Sequence, residues 1–385
     1  MNASSASAGP PSTGPLVRFP AENEIPADAR LPLPIEQTEY LVDGEIRRWD
    51  GPRQEVHAAV CRQSPEGPVP WRLGSYPLLT GRESLEALDA AVRAWDHGHG
   101  AWPTLPVAER IRHVEAFAFR MKEQREEIVR LLMWEIGKAR RESEREFDRT
   151  VEYIAGTVNA LKELDRASSR FLIEEGILAQ VRRAPLGTVL CMGPFNYPLN
   201  ETFTTLLPAL IMGNTAVFKP PRFGVLLFRP LLAAFRDSFP PGVVNTVYGD
   251  GKTIIGPLME SGRVDVLAFI GTHRVADQLK QQHPRPHRLR SVLGLDAKNP
   301  AVILPDADLD LAARECLLGS LSFNGQRCTA LKILFVHEAV ADPFVARLAA
   351  GIEALRPGMP WEEGAQATPL PEPGKPEYLA ALLEE

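Results

Sequence analysis

Residues 187–221 read GTVLCMGPFNYPLNETFTTLLPALIMGNTAVFKPP, and this stretch decides the fold. Residues 188–192 form a short apolar run that ends in a Gly-Pro turn, which predicts a buried strand. A helix is predicted from about 200 to 211, where Gly213 stops it, and TAVFKPP at 215–221 predicts the next strand. The stretch is therefore a strand–helix–strand unit.

The same alternation continues downstream. Strands are predicted in GVVNTVYGDG (242–251), VDVLAFIGT (264–272), RLRSVLGL (288–295) and PAVILP (300–305). Helices are predicted between them, ending near 236, 259 and 282, and DADLDLAARECLLGSL (306–321) predicts another helix behind its aspartate caps. Repeated βα units of this kind form a mostly parallel α/β sheet that is covered by helices on both faces.

Other patterns precede residue 187. The Pro-rich segment 1–33 is predicted to be disordered or extended. Alternation around Asp43-Gly44 in residues 34–50 predicts a small hairpin, and residues from about 82 to 165 are predicted to be mostly helical. Two short strands are predicted around Glu175-Gly176. The charged run ARRESERE (139–146) is interpreted as a solvated helix face.

Composition restricts the class of protein. The chain has 385 residues, 44% hydrophobic and 24% charged, with a net charge of -6, which disfavours a nucleic-acid or anionic-membrane partner. No apolar run reaches membrane-spanning length, and the N-terminus lacks the pattern of a signal peptide. The four cysteines form no C-x-x-C pair, which predicts reduced thiols in a cytoplasmic protein. The eight histidines show no metal-ligand spacing, so no metal site is predicted.

Unusual polar residues fall at the carboxyl ends of the predicted strands, where parallel α/β sheets bind ligands. Asn196 follows the first strand and either turns the loop or donates its amide to an oxyanion. Lys219 and Arg222 follow the second strand and either hold phosphates or are solvated charges. Gly271 and Thr272 open a helix after the fourth strand, and helix N-termini attract anions.

Cys328 lies in GQRCTA (325–330). A cysteine is most often a small packing residue, but the neighbouring Arg327 favours the reactive thiolate. Taken alone, the loop leaves both interpretations open.

In their order along the chain, these loops resemble the aldehyde dehydrogenase superfamily. The resemblance runs from about Tyr40 to the last residue and includes GDG (249–251), KNPAVILPDADLD (298–310) and LPEPGKPEYLAALLE (370–384). The PPR after Lys219 and the GQRCTA loop are most similar to the NADP-dependent, non-phosphorylating glyceraldehyde-3-phosphate dehydrogenases.

The resemblance implies doubly wound parallel sheets in two domains. Residues 34–290 would form the nucleotide-binding domain, with a β-hairpin near 168–185 that serves oligomerisation. Residues 291–385 would form a catalytic domain that is incomplete at its C-terminus, because the resemblance implies about a hundred further residues. A homo-oligomer is implied for the full-length protein.

The resemblance also implies the chemistry. Cys328 would attack a small-molecule aldehyde, such as glyceraldehyde 3-phosphate, to give a thiohemiacetal and then a thioester. The Asn196 amide would hold the oxyanion. Tyr197 and Arg327 would line the substrate mouth. The other cysteines would be packing residues, namely Cys61, Cys191 and Cys316.

The implied cofactor is NADP in preference to NAD. Lys219 would lie near the adenosine ribose, and Arg222 occupies a position where NAD-preferring members often carry Glu, so a 2′-phosphate is favoured. The remaining residues implied in cofactor binding are Pro194, Phe195, Pro221, Gly251, Phe269, Gly271 and Thr272.

Two departures from the family pattern stand out. Gly294 replaces the usual general-base Glu, and Asp296 is the candidate substitute if both lie on one strand face; Asp296 is equally compatible with a hydrogen bond to the next loop. The early end of the chain leaves a second hypothesis: a catalytically silent fragment that binds nucleotide or a partner subunit.

Overall fold

The structure is a computed structural model that describes residues 17–384. Its largest sheet confirms the predicted α/β class. The sheet and its connections are formed by β8 Thr188–Met192, α6 Asn200–Ile211, β9 Thr215–Lys219, α7 Leu231–Ser238, β10 Val244–Thr246, α8 Gly251–Glu260, β11 Val266–Ile270, α9 His273–Gln282 and β12 Arg290–Gly294. The five strands are parallel and lie in the order β10-β9-β8-β11-β12, with helices α6–α9 in the connections.

β8 is the point where the chain reverses direction across this sheet. From β8 the chain builds outward through β9 and β10, and it then returns to add β11 and β12 on the other side. β8 is fully buried because helices cover both faces of the sheet, which explains its uninterrupted apolar run. Open α/β sheets bind ligands at such a reversal, outside the carboxyl ends of the strands.

The five strands of the N-terminal part are β1 Ile35–Glu36, β2 Glu39–Val42, β3 Glu45–Arg48, β4 Arg53–Ser64 and β5 Gly67–Pro77. They combine two antiparallel pairs, β2–β3 and β4–β5, with a parallel pairing of β1 and β5. The β2–β3 hairpin is the predicted one, and its turn residues Asp43 and Gly44 both have positive φ, as a tight hairpin turn requires. The long β4–β5 pair has no counterpart among the predicted elements.

The predicted helical region is confirmed and contains five helices. They are α1 Gly81–Trp95, α2 Ala101–Thr104, α3 Val107–Lys122, α4 Arg125–Ile136 and α5 Arg140–Ser168. Short 3-10 turns occur at Glu22–Glu24, Ala27–Ala29, Asp96–Gly98, Leu226–Phe228, Ser322–Gly325 and Glu338–Val340. Ile25 and Ala29 are buried against the main core, so this stretch is ordered; the part of the predicted 1–33 segment before residue 17 lies outside the described residues.

The predicted strands around Glu175-Gly176 form a hairpin, β6 Leu172–Glu174 and β7 Ile177–Ala179. Every residue of the two strands is exposed, including the large apolar side chains Ile173 (78%) and Ile177 (67%). An isolated two-stranded hairpin has no core of its own to cover these side chains.

A smaller unit follows β12. It contains β13 Asn299–Ile303, α10 Leu309–Leu321, β14 Leu331–Val336, α11 Ala341–Glu353 and α12 Lys375–Glu384. β13 and β14 form a two-stranded parallel sheet, and a separate small cluster packs beneath it, formed by Ile303, Ala313, Cys316 and Phe344. Val302 and Phe335 remain 65% and 57% exposed. Within residues 17–384, every helix is too short or too polar to cross a lipid bilayer.

Candidate active site

A crevice lies at the reversal point of the large sheet. The loops after β8, β9 and β11 all leave the same edge, because parallel strands end on one side. Phe195 in the loop after β8 packs edge-on against Phe223 in the loop after β9, with 5.9 Å between ring centroids. The predicted residues Asn196, Lys219 and Thr272 therefore share one edge of the sheet.

Lys219 and Arg222 give the crevice its positive charge after β9. Lys219 is partly buried, and burial lowers its pKa to about 8, while Asp250 opposes that shift. Its Nζ donates only to the adjacent Pro220 carbonyl, at 3.1 Å, among the bonds of the described residues. Arg222 is exposed and lies 5.5 Å from the Phe223 ring centroid, while Pro221, which precedes Arg222, is buried.

The edge after β11 is shaped by Phe269 and Gly271. The Phe269 ring occupies the place where a Cβ on Gly271 would be, 2.4 Å away, so a side chain at Gly271 would displace the ring. Thr272 caps α9, its hydroxyl accepting from the Val275 amide at 3.4 Å. Two cations after one strand and a helix N-terminus after the other fit an anionic dinucleotide.

The remaining predicted cofactor residues lie at the same strand ends. Pro194 is partly exposed in the loop after β8. Gly251 is the first residue of α8, is exposed and has open space where a Cβ would be. The open space at Gly251 leaves room for a ligand to approach the backbone there.

Asn196 faces the segment that carries Cys328. Its Nδ2 donates to the Gln326 carbonyl at 2.7 Å. The structure thus brings the predicted oxyanion donor close to the loop of the predicted nucleophile, although 130 residues separate Asn196 from Gln326 in sequence.

Cys328 lies in an irregular segment between α10 and β14, and it is exposed. The 3-10 turn just before it contains Phe323 and Asn324 with φ of 50° and 54°, a region that non-glycine residues rarely adopt. The side-chain amide of Asn299 donates to the Cys328 and Ala330 carbonyls at 2.6 and 3.1 Å and fixes the segment behind the thiol. Backbone strain of this kind concentrates at functional sites.

The other cysteines are less accessible. Cys191 and Cys316 are buried and Cys61 is intermediate. Burial raises the pKa of Cys191 to about 12 and also raises the pKa of Cys316 and of Cys61. These three thiols are poor nucleophiles in comparison with an exposed one.

Lys332 was not predicted from the sequence. It follows Leu331 in β14 and donates to the Arg327 carbonyl at 3.4 Å. Partial burial and the neighbouring Lys298 lower the pKa of Lys332, whereas Cys328 raises it. A cation thus lies beside the predicted nucleophile, but a lone lysine in a strand gives no sequence signal for such a role.

The structure contradicts the assumption that Asp296 and Gly294 lie on one strand face. β12 ends at Gly294, so Asp296 is not on a strand and the two residues do not share a strand face. Its carboxylate instead accepts from the His273 amide at 2.9 Å and lies 2.8 Å from the His273 ring nitrogen Nδ1. These bonds to His273 hold the pKa of Asp296 at about 2. The observed partner is therefore the first residue of α9, after the neighbouring strand β11, rather than the loop that follows Asp296.

A small cleft of about 200 Å³ adjoins Asn200 and Arg327. Its cationic side chains are Arg145 and Arg149 from α5 together with Arg327, and Tyr197 lies among them. Burial raises the pKa of Tyr197 to about 12, so the phenol is a neutral hydrogen-bond donor. Glu142 and Glu146 also line the cleft, which leaves three positive charges against two negative ones.

The cleft corrects the interpretation of residues 139–146 as a solvated face. Arg141 and Arg145 are exposed as predicted, but Glu146 is fully buried. Helical periodicity identifies an exposed face without showing that another segment closes over it. Here the start of α6 covers Glu146, through the Leu199 and Asn200 amides, and the end of α10 lines the cleft beside it with Leu318.

Comparison with known proteins shows similarity to aldehyde dehydrogenases. The aldehyde dehydrogenase family matches residues 73–385. An NADP-dependent glyceraldehyde-3-phosphate dehydrogenase from Streptococcus equinus is 34% identical over 325 residues, or 81% of this chain. A chloroplastic betaine aldehyde dehydrogenase from Amaranthus hypochondriacus is 30% identical over 88% of this chain.

A solved structure with the same fold is the NADP-dependent glyceraldehyde-3-phosphate dehydrogenase from Bacillus halodurans, determined with NADP. It has 32% sequence identity and a TM-score of 0.80, covering 90% of this chain and 71% of the Bacillus chain. The present chain spans 65% of the streptococcal relative and 67% of the Amaranthus relative.

Proposed function

Because the chain belongs to the aldehyde dehydrogenase family, we propose that it oxidises an aldehyde to the carboxylic acid with NADP as the oxidant. The observation that carries the proposal is the convergence of Asn196 and the exposed Cys328 segment beside a crevice with two cations. NADP is favoured because Arg222 supplies a charge for a 2′-phosphate. The two glyceraldehyde-3-phosphate dehydrogenases named above, which are NADP-dependent, support the same choice.

In the proposed mechanism, the Cys328 thiolate attacks the aldehyde carbon and forms a C–S bond, and the carbonyl oxygen becomes an oxyanion. The Asn196 amide donates to this oxyanion, which requires it to exchange its present bond to the Gln326 carbonyl. Bound NADP would accept the hydride. Water then cleaves the thioester on Cys328 and releases the acid.

We propose that the substrate carries an anionic group such as a phosphate. The cleft formed by Arg145, Arg149, Arg327 and Tyr197 supports this class, because a phosphate accepts charge-assisted hydrogen bonds from guanidinium groups. Arg327 lies next to Cys328 in sequence and its guanidinium donates to the Ser322 hydroxyl, so the cleft and the thiol adjoin.

The test compares glyceraldehyde 3-phosphate with unphosphorylated glyceraldehyde in the parent chain and in Arg145→Met. We expect the parent to give a burst of NADPH, and Arg145→Met to lower kcat/KM about 10- to 100-fold with the phosphorylated substrate only. Arg166→Met, a surface change farther along α5, is the matched control. NADP binding with no burst for any aldehyde would refute the proposal and favour the silent-fragment alternative.

We also propose that the protein self-associates through the β6–β7 hairpin. The exposed apolar side chains Leu172, Ile173, Ile177 and Leu178 support this, since scattered exposure is normal but a contiguous apolar ribbon marks an interaction surface. Ile173→Asp should convert oligomer to monomer in analytical ultracentrifugation. A monomeric parent chain would contradict the proposal.

A further inference from the structure

A fully buried ion pair, Lys138–Glu146, lies behind the loop that carries Asn196. Both side chains have 0% exposure. Lys138 follows Gly137, which ends α4 at a φ of 67° and allows the Pro369 carbonyl to approach, since a Cβ there would lie 2.1 Å from that oxygen. Burying two ions is costly unless further hydrogen bonds satisfy both of them.

The Glu146 carboxylate accepts hydrogen bonds from the last part of the Asn196 loop, at Leu199 and Asn200. One oxygen accepts from the backbone amides of Leu199 and Asn200 at 3.0 and 3.2 Å. The other accepts from the Lys138 ammonium. The carboxylate therefore fixes the start of α6, four residues beyond Asn196.

The Lys138 ammonium contacts the first part of the Asn196 loop and the turn that precedes Cys328. It donates to the Asn196 carbonyl at 2.7 Å and lies 3.6 Å from the centroid of the Tyr197 ring. The Phe323 ring, from the turn before Cys328, is 4.4 Å away. A cation over an aromatic face is attracted to it, and more strongly when desolvated. Burial lowers the pKa of Lys138, and the Glu146 charge opposes that shift.

These contacts hold the backbone of Asn196 and the ring of Tyr197 at once, while the Asn196 side chain reaches Gln326. We propose that Lys138 and Glu146 are positioning residues that fix the oxyanion donor and the substrate-cleft phenol against the Cys328 loop. The inference rests on the proposed function for its kinetic consequence. Its structural consequence, an immobile loop at 195–200, is independent of activity.

The first experiment measures the NADPH burst and NADP binding for Lys138→Met. We expect the burst rate to fall about 10- to 100-fold, because misplacement of a catalytic group by about 1 Å costs up to 10²-fold. The NADP dissociation constant, measured by isothermal titration, should stay within about twofold, since Lys138 lies behind the Asn196 loop and Lys219 and Arg222 are unchanged. Lys162→Met removes an exposed lysine of α5 and should match the parent.

A single change leaves one buried charge unpaired and can prevent folding. The double variant Lys138→Met/Glu146→Gln removes both charges and should restore folding, as judged by thermal unfolding, while the burst stays slow. A parent-like burst in the folded double variant would overturn the proposal, because a pair that serves stability alone would then be fully replaced.

Amide hydrogen exchange tests whether the pair immobilises the loop, independently of its effect on the NADPH burst. In the double variant, amides within 195–201 should exchange at least about tenfold faster, whereas those of β9 should be unchanged. If the parent gives no burst, the proposed function fails, and exchange still decides the positioning role. Unchanged exchange in 195–201 would overturn it.

Discussion

The side-chain amide of Asn196 donates to the main-chain carbonyl of Gln326 at 2.7 Å, although 130 residues separate them in sequence. Gln326 lies two residues before Cys328, so the bond aims the amide at the nucleophile segment. The amide is therefore paired with an acceptor, and leaving a buried amide unpaired would cost about 1–3 kcal/mol of stability. In the proposed mechanism, substrate binding would exchange this acceptor for the oxyanion, so that the amide stays paired throughout.

Cys328 should be the thiol that reacts first. With limiting iodoacetamide near pH 7.5, we expect its peptide to be labelled before the other three, because Cys328 is exposed while Cys191 and Cys316 are buried and burial raises the pKa of Cys61. Peptide mass spectrometry gives the order of labelling. Faster labelling of Cys61 would remove the basis for assigning Cys328 as nucleophile.

Arg222→Glu should reverse the cofactor preference. A charge-assisted contact with a phosphate contributes roughly 1.5–3 kcal/mol, so NADP affinity should fall about 10- to 100-fold while NAD affinity changes little. Arg222→Lys keeps the charge and is the control. The measurement is titration of both cofactors against the three proteins, and an unaltered ratio of dissociation constants would sink the 2′-phosphate assignment.

Asp296→Asn separates its two possible roles. A general base would give a surviving NADPH burst with steady turnover about 10²- to 10⁴-fold slower. A carboxylate that only bonds His273 would give turnover near that of the parent and a less stable α9. The observed bonds to His273 favour the second result, which we expect in stopped-flow absorbance. Loss of steady turnover alone would restore Asp296 as the base.

Glu135 should contribute a stabilisation that falls as pH rises from about 4.5 to 7. Burial raises its pKa from 4.5 to about 7, against the opposing amides of Val225 and Leu226. The native state therefore holds a proton that the unfolded chain has released across this window. The contribution is about 3 kcal/mol, complete at low pH and lost above pH 7.

Urea unfolding at pH 5 and pH 8 tests the contribution of Glu135. Because other groups titrate too, the informative quantity is the difference between the parent and Glu135→Gln. We expect a smaller pH-dependent change in the variant. Equal changes in the two proteins would mean that Glu135 is already ionised in the native state.

Much of the fold could be predicted because each buried strand is short, apolar and bounded by Gly or Pro. β8 and β9 are examples, and Asn196 and Lys219 follow from the rule that ligands meet strand ends. The β4–β5 pair escaped prediction because Pro68 and Pro70 lie within β5 and exposed polar residues occupy much of β4.

The cleft and the buried ion pair could not be predicted from the sequence, because both depend on contacts between segments that are distant along the chain. Arg145 and Glu146 are adjacent on one helix and both adjoin the small cleft, yet Arg145 is exposed whereas the Glu146 side chain is fully buried against Lys138. Periodicity orients a helix relative to its own core. It carries no information on which residues α10 and the turn after it will cover.

The proposed site is divided between two parts of the chain whose hydrophobic clusters differ greatly in size. Lys219 ends β9 of the five-stranded sheet, which packs into the large core, and Arg222 follows it in the next loop. Cys328 lies between α10 and β14, where Phe323 reaches the large core but the unit's own cluster has four buried residues. Elements with few buried contacts open at lower free energy than the rest of a protein. On mild heating we therefore expect the two to uncouple: the crevice would persist while the thiol loses its place, leaving a protein that still binds NADP and no longer carries out the proposed oxidation.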